Sequence, residues 1–309
     1  MRGATSPILI AGPTASGKSA LALAVAEHVG GTIINADSMQ MYRELRILTA
    51  RPTPEDEARV PHAMYGFVPA SEAYSAGRFV KDAAAAIDTA RAEGRRPILV
   101  GGTGLYFKAL LEGLSPVPEI DPGVRAHWRQ MAADHGAYAL WQMLTDSDPE
   151  MAFQLDPNDS QRIVRSHEVM AATGKSLAYW WRVPGVPVVD PENAVKLAVM
   201  PERTELHARA DARFERMMVQ GALAEAAAFA ELNLDPTLPA MRAIGVGPLI
   251  ATVRGQTPLD QAVIQAKAET RQYIKRQSTW FNGNIIAWKI ITSQQIESNI
   301  EDIFSFIKS

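Results

Sequence analysis

The sequence has no cysteine among its 309 residues. Disulfide bonds, thiolate zinc sites and a thiol nucleophile are therefore excluded. It also has no apolar run long enough to span a membrane, and residues 1–6 lack the apolar stretch of a signal peptide. We accordingly expect a cytoplasmic protein without a membrane partner, and we expect it to be a monomer.

The chain also lacks a large net charge of either sign. The formal net charge is −3, so no overall positive field indicates a nucleic-acid partner, although a local basic face remains compatible with this value. Hydrophobic residues make up 47% of the chain, which is typical of a globular protein. The length is sufficient for two domains.

The most specific motif lies near the N-terminus. An apolar run at residues 8–10 leads into a glycine-rich loop, and a helical pattern follows over residues 20–28. This order is typical of a phosphate-binding loop, whose amides and helix N-terminus attract an anion. Lys18 adds a positive charge, and the hydroxyl of Ser19 predicts a ligand for Mg²⁺. The loop residues are Gly12, Pro13, Thr14, Ala15, Ser16, Gly17, Lys18 and Ser19.

Two further strands end in residues of chemical interest. A strand over residues 32–36 ends at Asp37, and an apolar strand over residues 97–100 runs into Gly101-Gly102-Thr103-Gly104. Ligands of open α/β sheets bind beyond the carboxyl ends of the strands, so both segments are expected beside the phosphate loop. On position alone, a helix-capping role for Asp37 and a plain turn at the glycines remain alternatives.

The middle of the chain changes character. Residues 43–69 are irregular, and a helix is predicted over residues 75–93 with an apolar stripe at Phe79, Ala83, Ala86 and Ala90. A proline-rich boundary at residues 115–118 precedes a helical region, in which Asp-Pro pairs at residues 121–122 and 148–149 mark helix starts. A third helix is predicted over residues 160–173, and a strand returns at residues 194–200.

These patterns predict an α/β fold. A P-loop NTPase-like parallel sheet core would comprise residues 1–115 and 194–309, and residues 116–193 would form an inserted all-helical domain. Arg125 and Arg129 share one face of its first helix, so they are candidate phosphate-backbone contacts, with scattered surface arginines as the alternative.

Basic residues recur in the last third of the chain. A helix over residues 202–220 carries Arg209, Arg213 and Arg216 on one face, and such an arginine can reach the phosphates of a P-loop protein. A later helix repeats Lys267, Arg271 and Lys275 every four residues and ends at aromatic residues 280–281. With only one acid opposing, this stripe suits a nucleic-acid backbone. We expect a strand at residues 285–288 and a terminal helix.

P-loop NTPases usually have an apolar strand that ends in an aspartate to hold Mg²⁺, but here the strand at residues 97–100 ends in glycines and the only strand-end carboxylate is Asp37. No protein-kinase signature is present. This pattern favours a diphosphate ligand over ATP hydrolysis.

Five segments together resemble the bacterial tRNA dimethylallyltransferases. They span most of the chain and comprise residues 12–19, 37–42, 101–106, 159–165 and 270–280. The resemblance implies transfer of a dimethylallyl group from dimethylallyl diphosphate to N6 of the adenosine on the 3′ side of the anticodon. The P-loop would hold the diphosphate, with Mg²⁺ as cofactor.

The resemblance also implies residue roles. Asp37 would be the general base, and Thr103 and Arg213 would contact the diphosphate or the reacting centre. Together with the basic stripe, it gives the tRNA contacts Asp37, Ser38, Met39, Gln40, Thr103, Arg125, Gln161, Arg162, Ile163, Val164, Arg165, Arg271 and Lys275.

The sequence departs from the family pattern at two places. The irregular segment at residues 43–69 keeps only His62 where the family often has two histidines, and residues 245–248 read Gly-Val-Gly-Pro where Gly-Tyr is common. Both departures concern local tRNA contacts. Three alternatives remain at this point: a P-loop kinase of a small metabolite or nucleoside, an RNA-binding switch driven by a nucleotide, and prenyl transfer to free adenine nucleotides.

Overall fold

The computed structural model describes residues 6–285, 287–292 and 300–308. Within them the strands form one six-stranded sheet in the order β3-β2-β4-β1-β5-β6, and every neighbouring pair is parallel. The strands are β1 (Ile8–Ala11), β2 (Gly31–Asn35), β3 (His62–Ala63), β4 (Arg96–Gly101), β5 (Val195–Val199) and β6 (Lys289–Ile291).

Helices connect and cover these strands. They are α1 (Lys18–Val29), α2 (Pro54–Arg59), α3 (Ala76–Ala92), α4 (Gly104–Glu112), α5 (Pro122–Ser147), α6 (Pro149–Gln154), α7 (Ser160–Thr173), α8 (Leu177–Trp181), α9 (Arg203–Val219), α10 (Ala222–Ala230), α11 (Val246–Val253), α12 (Leu259–Asn284) and α13 (Ile300–Lys308). A 3-10 helix (Pro239–Arg242) precedes α11.

The central strands are buried on both faces of the sheet. Alternate residues of β1 point in opposite directions, so Leu9 joins one apolar core while Ile8 and Ile10 join the other. Helix α1 covers the second face and α3 covers the first. This double cover explains why the strands are continuous apolar runs, as parallel sheets require.

The chain divides into two compact units. One comprises residues 1–111 and 188–309 and contains the sheet, and the other comprises residues 112–187. The second unit is helical and has its own apolar core, which includes Leu140, Leu144 and Ile163. The predicted Asp-Pro helix starts are confirmed, since the carboxylates of Asp121 and Asp148 accept hydrogen bonds from backbone amides at the starts of α5 and α6.

Several sequence predictions need correction. The strand expected at residues 285–288 lies at β6 instead, because α12 continues to Asn284 and Ile285 still bonds to the last turn of that helix. Residue 286 lies outside the described residues. The irregular segment at residues 43–69 contains the short helix α2, and Ile87 rather than Ala86 completes the buried stripe of α3. The expected terminal helix is confirmed by α13.

Across the described ranges, no helix has both the length and the apolar character that crossing a membrane requires.

Glycine at the end of β4 is required by close packing. A Cβ atom added to Gly101 would lie 2.0 Å from the backbone oxygen of Ala36, whereas one added to Gly77 in α3 meets nothing closer than 3.9 Å. We expect Gly101→Ala to lower the free energy of unfolding by about 2 kcal/mol or more, because the backbone must shift. Gly77→Ala should raise it by about 0.5 kcal/mol. Urea denaturation of both variants measures this, and equal stabilities would contradict it.

Candidate active site

The phosphate-binding loop follows β1 and packs tightly against its neighbours. A Cβ atom on Gly12 would lie 2.5 Å from the backbone oxygen of Val199, so only glycine allows this approach to the end of β5. Gly17 has a left-handed backbone (φ 93°) and caps the N-terminus of α1. Ala15 has φ 64°, which is unusual for a residue with a side chain. The loop therefore curls back toward α1.

A cleft of about 520 Å³ opens above this loop. The loop forms its floor, and helix α9 and the segment after β2 form its walls. The lining residues are Thr14, Ala15, Ser16, Gly17, Lys18, Ser19, Ala20, Asp37, Gln40, Thr49, Ala50, Arg209, Ala212, Arg213 and Arg216. The predicted arginine row of α9 thus lines the cleft.

Positive charge dominates the cleft. The ammonium of Lys18 donates to the backbone oxygen of Pro13 (3.2 Å), and Arg213 donates to the hydroxyl of Thr14 (2.5 Å). The pKa of Lys18 is lowered to about 8. Burial is the main cause, the charge of Arg213 adds to the lowering, and the charge of Asp37 opposes it. Burial also lowers the pKa of Arg213, with Asp37 again opposing. Two desolvated cations therefore share one carboxylate, an arrangement that favours a bound anion.

The side chain of Asn35 holds the backbone of Asp37 in place. Its N–H donates to the side-chain oxygen of Asn35 (2.8 Å), and its carbonyl accepts from the side-chain amide of Asn35 (3.0 Å). Carboxylate oxygen Oδ1 accepts from the N–H of Met39 (3.0 Å). Among the described residues, no hydrogen bond reaches the second oxygen, Oδ2. One carboxylate oxygen is thus fixed while the other is available to a ligand.

Three tyrosines lie within electrostatic reach of this carboxylate, of which Tyr106 is buried and Tyr65 and Tyr273 are partly buried. Burial raises the pKa of Tyr65, Tyr106 and Tyr273, and in each case the charge of Asp37 raises it further. These phenols stay protonated at neutral pH. Asp37 is therefore the negative group in an otherwise neutral and cationic environment.

Two neighbours of Asp37 have supporting roles. The hydroxyl of Thr103 accepts from the N–H of Ser38 (3.0 Å), which connects the glycine loop after β4 to the segment after β2. The side chain of Gln40 donates to the backbone oxygens of Thr49 and Ala50, both at 2.9 Å, and so fixes one wall of the cleft. The residues that line the cleft do not include Thr103, Ser38 or Met39.

Sequence reasoning missed Gln277, a buried residue of α12. Its side-chain oxygen accepts from the N–H of Thr14 (2.9 Å), and its side-chain nitrogen donates to the backbone oxygen of Gly102 (2.8 Å). Trp280, one turn later, covers Gly104, where a Cβ atom would lie 2.2 Å from the indole ring. The signal was available, since Gln277 is a polar residue on the apolar face of a helix.

Comparison with known proteins identifies the family. Residues 40–284 match the family model described as IPP transferase, and residues 6–61 match that described as isopentenyl transferase. The chain belongs to the IPP transferase family. The resemblance inferred from the five motifs is confirmed, and so are the P-loop core and the assignment as a transferase.

Individual relatives agree along nearly the whole chain. The tRNA dimethylallyltransferase of Parvibaculum lavamentivorans is 51% identical over 300 residues, which cover 97% of this chain and 95% of the relative. That of Rhodopseudomonas palustris (strain BisB18) is 52% identical and covers 95% and 93%. The solved structure of the full-length tRNA isopentenylpyrophosphate transferase from Bacillus halodurans has a TM-score of 0.71 at 30% identity, with 98% and 96% covered. These matches do not favour the kinase alternative.

The remaining predicted tRNA contacts fall into two groups, one on each unit. Arg125 and the start of α7 belong to the helical unit. Gln161 and Arg162 are exposed there, and the buried carboxylate of Glu168 accepts from Arg165 (3.3 Å). Ile163 is fully buried in the unit core and Val164 packs against that core, so Ile163 cannot present its side chain to RNA.

The basic stripe of α12 differs from expectation in its charge balance. Lys267 pairs with Glu215 (2.6 Å), and Arg271 pairs with Asp211 (2.9 Å), both acids coming from α9. The neighbouring helix α9 therefore adds two acids to the one that opposes the stripe on its own helix. Lys275 remains exposed.

The pKa of Lys18 predicts how anion affinity depends on pH. Free protein carries the Lys18 charge below about pH 8 and loses it above that value. The affinity for inorganic pyrophosphate should fall as pH rises from 7 to 9, by up to ~10-fold per unit, and binding at pH 8 should take up protons because the anion favours the charged form. Titration calorimetry in two buffers of different ionisation enthalpy measures both.

Lys18→Met should bind pyrophosphate weakly and without this pH dependence. Lys81→Met, which removes an exposed lysine of α3, is the matched control and should behave as the unchanged protein. An affinity that stays constant from pH 7 to 9 would show that Lys18 does not supply the titrating charge.

Proposed function

We propose that this IPP transferase moves a dimethylallyl group from dimethylallyl diphosphate to N6 of the adenosine on the 3′ side of the tRNA anticodon. The observation that carries the proposal is one cleft in which a cationic phosphate-binding loop faces the carboxylate of Asp37. The names of the relatives, tRNA dimethylallyltransferases at about half identity, support the same substrates.

The donor half of the reaction uses the loop. The loop amides and the N-terminus of α1 bind the diphosphate, and Lys18 and Arg213 neutralise charge that develops as the allylic carbon–oxygen bond breaks. Both cations are already desolvated in the free protein, so little reorganisation is needed when the leaving group departs. Thr14 orients the guanidinium of Arg213 for this role.

The acceptor half uses Asp37. The adenine amine is a poor nucleophile, and removal of its proton by a positioned carboxylate typically contributes ~10²–10⁴-fold. The nitrogen–carbon bond forms as the carbon–oxygen bond breaks, diphosphate leaves, and the proton passes to Asp37. The second carboxylate oxygen is the acceptor, because Oδ1 already accepts from Met39. Thr103 keeps this segment in place through Ser38.

Mg²⁺ fits the oxygen donors of this cleft. Ser19 is exposed at the first turn of α1 and lines the cleft, and its hydroxyl is a hard oxygen donor of the kind that Mg²⁺ prefers. The described part of the chain contains no cluster of three or more histidine, aspartate or glutamate side chains that could hold the ion alone. Ser19 would therefore hold Mg²⁺ together with the diphosphate. When bound, the ion would supply Lewis-acid stabilisation of the leaving group.

Recognition of tRNA is assigned to both units. Arg125, Gln161, Arg162 and Arg165 would contact the backbone from the helical unit, and Arg271 and Lys275 from α12. The reacting base must leave its stack to reach a cleft of this kind, as for other enzymes that modify a base. These contacts should be sensitive to salt.

Asp37→Ala should lower the rate of transfer by ~10²–10⁴-fold, because the amine then lacks its proton acceptor. Binding of tRNA, measured by fluorescence anisotropy, should remain within a few-fold. The assay incubates tRNA with dimethylallyl diphosphate and Mg²⁺ and quantifies isopentenyladenosine by mass spectrometry. Asp88→Ala, on an exposed position of α3, is the control. Equal rates for Asp37→Ala and the control would remove Asp37 from the base role.

Arg165→Ala should raise KM for tRNA, because it removes an arginine proposed to contact the tRNA phosphate backbone. The slope of log affinity against log salt concentration should become less steep by about 1, which corresponds to one phosphate contact. The affinity for pyrophosphate should not change. Arg254→Ala, an exposed arginine at the end of α11, is the matched control and should leave KM unaltered. The measurement is steady-state transfer at several salt concentrations. An unchanged KM for Arg165→Ala would exclude this residue from the tRNA surface.

A further inference from the structure

Gln277 connects two segments that are far apart in sequence. The N–H of Thr14 in the phosphate-binding loop donates to its oxygen, and its nitrogen donates to the carbonyl of Gly102 after β4. These bonds join residues 263 and 175 positions away along the chain. A primary amide suits this place because it offers one acceptor and one donor group in a fixed geometry.

The surroundings show that the amide is built into the fold. Gln277 lies on the buried face of α12 with Thr270, Ile274 and Phe281. Thr270 satisfies its hydroxyl within the helix, by donating to the carbonyl of Ala266, whereas Gln277 reaches out of the helix. The bond to the carbonyl of Gly102 is buried, and an unpaired polar group at such a depth is costly, so the native partners of Gln277 favour its side-chain amide.

Each partner of Gln277 leads to one half of the reaction. Thr14 also accepts from Arg213, the cation assigned to the leaving diphosphate. Gly102 precedes Thr103, which accepts from the N–H of Ser38 beside Asp37. Gln277 is therefore the shared support of the donor side and the acceptor side.

We propose that Gln277 is a positioning residue that sets the spacing between the diphosphate-binding loop and the carboxylate of Asp37. The inference rests on the proposed prenyl transfer. It explains the glycine at position 102, since a Cβ atom there would lie 2.3 Å from the side-chain nitrogen of Gln277. Misplacement of reacting groups by about 1 Å costs roughly 10²-fold in rate, so loss of this support should affect kcat most.

The test compares Gln277→Met with Thr270→Val in the transfer assay. Both variants remove a buried polar group from the same face of α12, but only the first breaks bonds to other segments. We expect kcat to fall ~10²-fold for Gln277→Met, with KM for tRNA within about threefold, and kcat to stay within about twofold for Thr270→Val. Equal kcat values for the two variants would overturn the proposal, because Gln277 would then serve packing alone.

Gly102→Ala tests the same contact from the opposite side and leaves α12 intact. Its methyl group should displace the Gln277 amide and lower kcat by ~10-fold or more. In a Gln277→Ala background the 2.3 Å clash is removed, and the nearest remaining atoms are the backbone oxygen of Gly12 at 3.3 Å and Oδ2 of Asp37 at 3.4 Å. The double variant should therefore lose less than the product of the two single losses. Unchanged kcat for Gly102→Ala, or losses that multiply, would overturn the proposal even if Gln277→Met failed to fold.

The wild-type protein in the same assay separates the proposed prenyl transfer from the proposed positioning role of Gln277. Absence of isopentenyladenosine with this protein would refute the proposed prenyl transfer. Transfer by this protein together with full kcat in Gln277→Met would refute the positioning role and leave prenyl transfer standing.

Discussion

Two desolvated cations beside a single carboxylate form the constraint on which this structure depends. Lys18 and Arg213 are desolvated, and Arg213 opposes the charged form of Lys18, so the free cleft holds more positive charge than its surroundings compensate. Such a site is unfavourable when empty and favourable when an anion fills it. The protein therefore keeps the stabilising groups of the reaction in position before the ligand arrives, which is how preorganised electrostatics lowers a barrier.

Holding the charges requires a rigid edge of the sheet. The order β2-β4-β1-β5 places the ends of four parallel strands side by side, and glycines let the backbones approach closely. Gly12 lies against the carbonyl of Val199, and Gly101 lies against the carbonyl of Ala36. Side chains at these glycines would widen the edge and separate the phosphate-binding loop from Asp37. Backbone contacts thus bring together the strand ends from which the phosphate-binding loop and the Asp37 segment extend.

Local patterns in the sequence were sufficient for most of the fold. Apolar runs predict the four strands β1, β2, β4 and β5, and aspartates before prolines predict the starts of α5 and α6. The glycine loop and Asp37 were also placed at the same edge, because parallel strands leave few other arrangements. The sequence predicts β6 a few residues too early, because an apolar run alone does not show where the preceding helix ends.

Contacts between distant segments could not be predicted in the same way. The acids that pair with Lys267 and Arg271 belong to α9, so a helix considered alone shows an unopposed basic stripe. The side chain of Ile163 lies in a motif that resembles an RNA contact, yet tertiary packing buries it. Gln277 escaped notice for the same reason, because its two partners lie hundreds of positions earlier in the sequence.

Helix α12 shows why such contacts matter for chemistry as well as stability. One face carries Arg271 and Lys275, while the buried face carries Gln277 and Trp280 against the glycine loop after β4. The helix thus presents positive charge on one face, while its opposite face supports the phosphate-binding loop and the glycine loop after β4. The amide of Gln277 holds both loops at once, since it satisfies a donor and an acceptor that no apolar side chain could.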